Sequence, residues 1–199
     1  MKILFFDTET TGLPRNFKAP ASDTANWPRL VQLAYIIQNE KGETLYSSSD
    51  IIRPNGFVIP NEAAAIHGVT TERAMDEGRP LEIVLSELLA HAKECDLVIG
   101  HNIGFDMNIV GAECFRIFGK NPLWGKRTMD TMKESTNYCN LPPRPGQMRP
   151  KQPKLQELHQ ILFGRPFESA HNAQADIEAT VKCYWELCSR GIMSKPTVI

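Results

Sequence analysis

The spacing of hydrophobic residues changes along this chain, and that change limits the folds open to it more than any other feature. Apolar residues first recur at strand spacing and then at helical spacing, with short apolar runs between the helical segments. Three strands followed by alternating helices and strands predict an α/β fold with a mixed central sheet of about five strands flanked by helices. At 199 residues the chain is long enough for one sizeable core and short for two, so we predict a single domain over residues 1–199.

The local patterns predict the individual elements. We expect strands at residues 2–8, 30–38, 43–53, 96–100 and 126–131. We expect helices at 80–94, 103–117 and 155–163, and a last helix whose apolar stripe covers 177–188 and which ends at Gly191. The five prolines between residues 141 and 153 predict an irregular loop there.

The composition excludes several classes of protein. The longest unbroken apolar run has five residues, 33–37, whereas a membrane helix needs about 20. The apolar start at residues 3–6 is too short for a secretory signal peptide, because Asp7 follows at once. Five cysteines without a CxxC pair argue against a disulfide framework or a zinc ribbon. We therefore expect a cytoplasmic protein that does not bind membranes, and the sequence leaves its oligomeric state open.

Charge is distributed unevenly along the chain. Residues 116–154 carry nine basic and two acidic side chains, whereas residues 1–115 carry nine basic and 16 acidic ones. This asymmetry is suited to holding a polyanion at one segment and cations at another, although a solvated charged loop would give the same count.

The first candidate site residues are Asp7 and Glu9, at the end of the first strand. Alternation along a strand places both side chains on one face. Two neighbouring carboxylates repel each other unless a cation compensates them, so the pair is a candidate site for Mg²⁺ or Mn²⁺, which prefer oxygen ligands. A solvated strand end is the alternative.

Two further segments carry acidic or basic candidates. Asp106 is expected in the first turn of a helix, just after a predicted strand, where open α/β sheets hold ligands. His171 and Asp176 lie five residues apart, so on one continuous helix they would diverge by about 140°. We therefore place His171 on a loop and Asp176 inside a helix that Asn172 caps.

Taken together, these segments resemble a known enzyme family. The sequence DTETTGL at residues 7–13, the pattern HNxxFD at residues 101–106 and the pattern HxAxxD at residues 171–176 occur in order. The sequence IHGVT at residues 66–70 and the pair Asp130-Thr131 match further family segments. The chain thus resembles the DEDDh (DnaQ-like) exonucleases over nearly its whole length, a family that includes the proofreading subunit of bacterial DNA polymerase III.

The resemblance implies a ribonuclease H-like fold and a metal-dependent 3′–5′ exonuclease that releases nucleoside 5′-monophosphates, with DNA and a single-stranded 3′ end favoured. It implies that His171 is the general base, a role that suits a neutral imidazole at physiological pH. It implies that two divalent ions, Mg²⁺ or Mn²⁺, are held by four carboxylates: Asp7, Glu9, Asp106 and Asp176. An exoribonuclease of the same family and an inactive nucleic-acid-binding module remain alternatives, and polymerase or repair proteins are further candidate partners.

Substrate contacts are also implied by the resemblance. It assigns Thr11 and Leu13 to the terminal nucleotide, His67 to a segment on the substrate side and Asn102 to orienting the site, with simple packing as the alternative for each. Phe17, Lys18, Trp27 and Arg29 could bind a single strand or cover a hydrophobic edge. The basic proline-rich loop could contact phosphates or be merely solvated: Arg144, Arg149, Lys151 and Lys154.

A different enzyme class shares the first motif in part. Asp7 and Thr11 fit the strand–DxxxT start of haloacid-dehalogenase-type phosphatases. Those enzymes have Asp, not Glu, two residues after the first aspartate, and a later Gly-Asp pair that this chain lacks. The exonuclease interpretation is therefore favoured.

Overall fold

The computed structural model describes residues 1–168 and 172–195. Its sheet has five strands in the order β3-β2-β1-β4-β5. The strands β1 (Lys2–Thr10), β2 (Leu30–Asn39) and β3 (Thr44–Ile51) are antiparallel neighbours, whereas β4 (Leu97–Gly100) and β5 (Thr128–Asp130) continue the sheet in parallel from β1. The predicted α/β class and mixed sheet are confirmed.

Seven helices are found among the described residues. They are α1 (Asn61–His67), α2 (Thr71–Glu77), α3 (Leu81–Glu94), α4 (Ile103–Phe118), α5 (Thr131–Cys139), α6 (Leu155–Phe163) and α7 (Ala173–Ser189). In this part of the chain no helix combines the length and the apolar character needed to span a membrane.

The helices α1, α2 and α5 were not predicted from the sequence. These helices have only seven, seven and nine residues, and each buries at most two side chains, so none has an apolar stripe long enough to detect. Their end signals are nevertheless present in the sequence. The Thr70 hydroxyl caps α2, Asp130 caps α5, and Gly68 ends α1 in the left-handed conformation.

Alternation along β1 divides the protein into two cores. Ile3 and Phe5 face α6 and α7, where they pack with buried residues that include Tyr184. Leu4 and Phe6 face α3 and α4 on the opposite side of the sheet. Because side chains alternate, Asp7 and Glu9 continue the α7 face, whereas Thr8 continues the α4 face.

The strand β1 runs past the end of its neighbour β4. The β4 pairing covers only Ile3 to Phe5, whereas the β2 pairing continues to Thr10. The last residues of β1 therefore lie at an open edge, above the starts of α4 and α7. This step in the sheet is where the candidate site is formed.

Candidate active site

The end of β1 and the first turn of α7 bring three carboxylates together. Each of Asp7, Glu9 and Asp176 offers an oxygen, and these oxygens all lie within 4.8 Å of one another. Asn172 holds the start of α7, since its side chain accepts hydrogen bonds from the backbone N–H groups of Gln174 (3.1 Å) and Ala175 (3.3 Å). Asp176 is thus on the first turn of α7, as predicted, and we call these three carboxylates the carboxylate cluster.

Asp106 reaches the same region from α4. It is buried, and its Oδ1 accepts hydrogen bonds from the Thr8 backbone N–H at 3.0 Å and the Thr8 hydroxyl at 2.7 Å. This Thr8 N–H lies on the side of β1 where β4 would continue. Because β4 has already ended there, the Asp106 carboxylate supplies the acceptor for the N–H. Asp106 lies outside the group of oxygens within 4.8 Å, but its charge acts on both Asp7 and Glu9.

Burial and the charges of nearby carboxylates raise the pKa values of Asp7, Glu9 and Asp106. Burial, followed by the charges of Asp106, Asp176 and Glu9, raises the pKa of Asp7 well above its ordinary value. Burial and the charges of Asp176 and Asp106 raise the pKa of Glu9 to about 8. Burial raises the pKa of Asp106 to about 7, against the opposing hydrogen bonds from Thr8.

The donor set fits a hard divalent cation. All the donors are carboxylate oxygens, which Mg²⁺ and Mn²⁺ favour, and a cation would remove the repulsion that raises these pKa values. The structure therefore brings together the predicted metal ligands Asp7, Glu9 and Asp176, with Asp106 beside them.

The raised pKa of Glu9 predicts a pH-dependent stability without divalent ions. Its ordinary pKa is 4.5 and its folded pKa is about 8. Between these values the unfolded chain is ionised while the folded protein holds the proton, so stability should fall as pH rises through this window. In chelator, the Glu9→Gln variant should have a higher melting temperature than wild type at pH 8. Its melting temperature should also decrease less than that of wild type between pH 5 and pH 8. Melting curves that decline in parallel for both proteins would contradict the repulsion; exposed Glu62→Gln is the control.

The Thr8 hydroxyl was not singled out from the sequence, and it has its own testable effect. Thr8→Val keeps the shape of the side chain but removes a donor to a buried carboxylate. We expect the free energy of unfolding to fall by roughly 1–3 kcal/mol, and turnover to fall because Asp106 loses one of its two anchors. Thr8→Ser restores the donor and should recover both. Urea unfolding and turnover measured together test this, and wild-type values for Thr8→Val would refute it.

The predicted substrate residues lie around the end of β1. Thr11 closes the β1–β2 edge: its N–H donates to the Arg29 carbonyl and its hydroxyl accepts from the Arg29 N–H, each at 3.0 Å. Leu13 is 74% exposed, so its packing alternative loses support. Both assignments stay predictions.

His67 is buried at the end of α1, next to the backbone of Thr10. Its Nδ1 accepts the Val69 N–H at 3.2 Å, and its buried Nε2 has no hydrogen-bond partner within residues 1–168 and 172–195. Burial lowers the pKa of His67, which favours the neutral ring, and the Thr10 backbone opposes this shift. The assignment of His67 to substrate binding stays a prediction.

Asn102 starts α4 in the left-handed conformation, with φ of 65°. Its N–H donates to Asp130 Oδ1 at 2.9 Å, and the same oxygen accepts the Met132 N–H at 3.0 Å. One carboxylate oxygen therefore holds the starts of both α4 and α5, which sets the position of Asp106. The sequence resemblance included Asp130 but assigned it no role, because the helix that it caps had not been predicted.

His171, the predicted general base, lies outside the described residues.

The aromatic and basic residues of the first long loop were predicted either to bind a single strand or to cover a hydrophobic edge, and the structure divides them between these two roles. Trp27 is buried, with its indole N–H donating to the Pro20 carbonyl, and Arg29 pairs with buried Glu113 at 2.9 Å. These two therefore cover the core, whereas Phe17 and Lys18 are exposed.

The chain is similar in fold to several solved structures. A search of curated proteins found no match. Among solved structures, E. coli exonuclease I in complex with a dA16 oligonucleotide is similar, with a TM-score of 0.74 and 21% identity over 95% of this chain and 41% of that one. Exonuclease I from Methylocaldum szegediense is similar too, with a TM-score of 0.72 and 20% identity over 95% of this chain and 40% of that one.

A zinc-bound E. coli exonuclease I–ssDNA complex also matches, with a TM-score of 0.73 and 20% identity over 95% of this chain and 40% of that one. The chain thus spans about two fifths of these relatives, and at such identity the likeness concerns the fold, where it confirms the predicted ribonuclease H-like architecture. The family model described as "Exonuclease" matches residues 4–184. This match confirms the predictions of an enzyme and of an exonuclease. The chain belongs to the exonuclease family, as its DEDDh motifs predict.

Proposed function

We propose that this exonuclease removes nucleoside 5′-monophosphates from the 3′ end of single-stranded DNA, with Mg²⁺ or Mn²⁺ held by its carboxylates. One observation carries the proposal. In a chain whose residues 4–184 match the exonuclease family, Asp176 is far in sequence from Asp7 and Glu9, yet one carboxylate oxygen from each of the three lies within 4.8 Å of the other two.

The residues divide the work of phosphodiester hydrolysis between them. Asp7, Glu9 and Asp176 hold the cations together with Asp106, which Thr8 keeps in place at the strand end. When bound, two divalent ions supply charge stabilisation for the attacking and leaving oxygens. The exposed Leu13 contacts the terminal nucleotide, and the Thr11 bonds to Arg29 hold the backbone that carries it.

His171 takes the proton from the attacking water. The water oxygen then bonds to phosphorus while the bond from phosphorus to the 3′ oxygen breaks. The departing 3′ oxygen takes up a proton from solvent, which leaves a 5′-monophosphate and a shortened strand with a 3′-hydroxyl. The support for this role is the HxAxxD motif, in which His171 comes one residue before Asn172, the cap of α7, and five residues before Asp176 in the sequence.

The preference for single-stranded DNA is supported by the relatives. The solved structures that resemble this chain include exonuclease I bound to dA16 and to dT13 oligonucleotides. The carboxylates themselves do not distinguish DNA from RNA, because sensing a 2′-hydroxyl depends on the shape of the pocket around the sugar.

The setting of the enzyme is part of the same proposal. The five cysteines are free, and four of them are buried, which supports a reducing compartment and therefore the cytoplasm. Polymerase or repair proteins are the partners we propose, since single-stranded 3′ ends arise where such proteins act.

A digestion series on 3′-labelled oligonucleotides tests the function. The substrates are single-stranded DNA, duplex DNA, mismatched duplex and RNA, each with divalent ions and with chelator. We expect early release of the label as a 5′-mononucleotide, fastest from single-stranded DNA and abolished by chelator. Faster digestion of RNA would identify an exoribonuclease, release of free phosphate a phosphatase, and binding without digestion an inactive module.

A further inference from the structure

A basic cleft of about 670 Å³ lies between α5 and the proline-rich loop at residues 141–153. One wall is a single face of α5, whose residues are three and four positions apart. The other wall is the loop. The residues that matter to its chemistry are Lys133, Thr136, Asn137, Arg144, Arg149 and Lys151.

Two arginines on the loop wall of the cleft have no acidic partner among the described residues. No acidic side chain lines the cleft. Lys151 is paired with Glu157 at 2.5 Å, and Lys133 lies 3.5 Å from Asp130. Arg144 and Arg149 are exposed and form no ion pair with any residue in the described ranges 1–168 and 172–195. Their guanidinium groups are free to bind an anion.

Hydrogen bonds tie the cleft to the candidate active site. His101 directly follows β4, and its Nε2 donates to the Pro153 carbonyl at the end of the loop, at 2.9 Å. Its Nδ1 lies 3.0 Å from the Thr131 hydroxyl at the start of α5. The loop is also closed on itself, because the Lys151 N–H donates to the Leu141 carbonyl at 3.2 Å.

The sheet order places the cleft beside the carboxylate cluster. α5 begins directly after β5, and β5 is separated from β1 by β4 alone. Because β1, β4 and β5 are parallel, α5 and the carboxylate cluster both lie at the edge of the sheet where these strands end. Two strand spacings separate β5 from β1 by about 10 Å, which a short run of nucleotides can span.

We propose that this basic cleft binds the phosphodiester backbone of the single strand on the 5′ side of the nucleotide being removed. The proposal rests on the proposed function. Arginine binds phosphate through two parallel N–H donors, and the neighbouring amide of Asn137 adds a neutral donor. The cleft lining has no aromatic side chain on which bases could stack, so binding through the cleft should be independent of base sequence.

The double variant Arg144→Ala/Arg149→Ala tests the cleft. Both side chains are exposed, so the fold should persist, and equal melting temperatures will verify this. In chelator, the affinity for a long oligothymidylate should fall, and the slope of log affinity against log salt should decrease by roughly 1.4, or about 0.7 for each phosphate that an arginine no longer neutralises. A heteropolymer of the same length should show the same loss of affinity.

The matched control is Lys41→Ala/Lys93→Ala. It removes the same charge from exposed side chains at the opposite end of the sheet, by the β2–β3 turn and the end of α3. Its affinity and salt slope should equal those of wild type.

Turnover adds a second measurement. The double arginine variant should raise the KM of a long strand by a larger factor than the KM of a dinucleotide, because a dinucleotide is too short to reach the cleft.

The outcomes separate the cleft from the function on which it rests. If wild type hydrolyses neither the long strand nor the dinucleotide, the proposed function fails. If it hydrolyses both, but the arginine variant keeps the wild-type salt slope and KM ratio, only the cleft is refuted. An equal loss of affinity in the lysine control would also refute the cleft, because it would show an effect of net charge alone.

Discussion

Replacing Asp7 by Asn is expected to lower turnover by at least about 100-fold, the upper end of the loss seen when only an outer partner of a metal ligand is removed. Asn keeps the size of the side chain but removes a charge from the centre of the carboxylate cluster. The charges of Asp106, Asp176 and Glu9 all act on Asp7, so its replacement affects the electrostatics of the whole site. Single-turnover digestion across a divalent-ion titration measures the effect.

The stability of the Asp7→Asn variant distinguishes a lost ligand from a damaged fold. In chelator it should melt no lower than wild type, because the change removes repulsion among clustered carboxylates. Divalent ions should stabilise wild type more than the variant, since a ligand that binds only the folded state raises its stability. Asp76→Asn, at an exposed position of α2, is the control for a lost charge. Near-wild-type turnover in the Asp7 variant would refute the metal-ligand assignment.

Replacing His171 by Ala should reduce turnover by about 10²–10⁴-fold, the usual contribution of a positioned general base. The neutral imidazole is the form that accepts a proton. Wild-type activity should therefore rise with pH as His171 loses its proton and then level off, and the variant should lack this rise. pH–rate profiles under single-turnover conditions measure both effects.

Metal dependence completes the test of His171. The variant should need the same divalent-ion concentration as wild type, because His171 is not proposed as a ligand. His91→Ala provides a control, since His91 lies on α3 and hydrogen-bonds to Tyr35 at 3.0 Å, outside the carboxylate cluster. If His171→Ala keeps both the low-pH limb and nearly the wild-type rate, another group takes the proton.

Most of the fold was predictable where the apolar pattern is long. The helix at residues 155–163 was predicted with its observed boundaries, and β1 was found two residues longer than expected. The helix α5 was not predicted, since Thr131 and Ser135 are its buried residues and give no apolar stripe. Short helices of this kind depend on packing and caps supplied by the rest of the protein rather than on their own pattern.

The candidate site shows the same division. That Asp7 and Glu9 share a face was determined by the sequence alone, because strand alternation is a local rule. The arrival of Asp176 beside them was decided by the packing of α7 on that face of the sheet. The attachment of Asp106 to Thr8 likewise required β4 to end early, which leaves an N–H of β1 for the carboxylate to take up.

The sequence thus defines the chemical character of this protein: a strand that ends in two carboxylates, a series of motifs in a fixed order and a basic segment at residues 116–154. Which of those charges act together depends on how the chain folds. Lys151 is neutralised by Glu157, whereas Arg144 and Arg149 face a cleft with α5. The physical reason is that periodicity reports a residue's immediate neighbours along the chain, whereas the position of a charge relative to other charges depends on packing between distant segments.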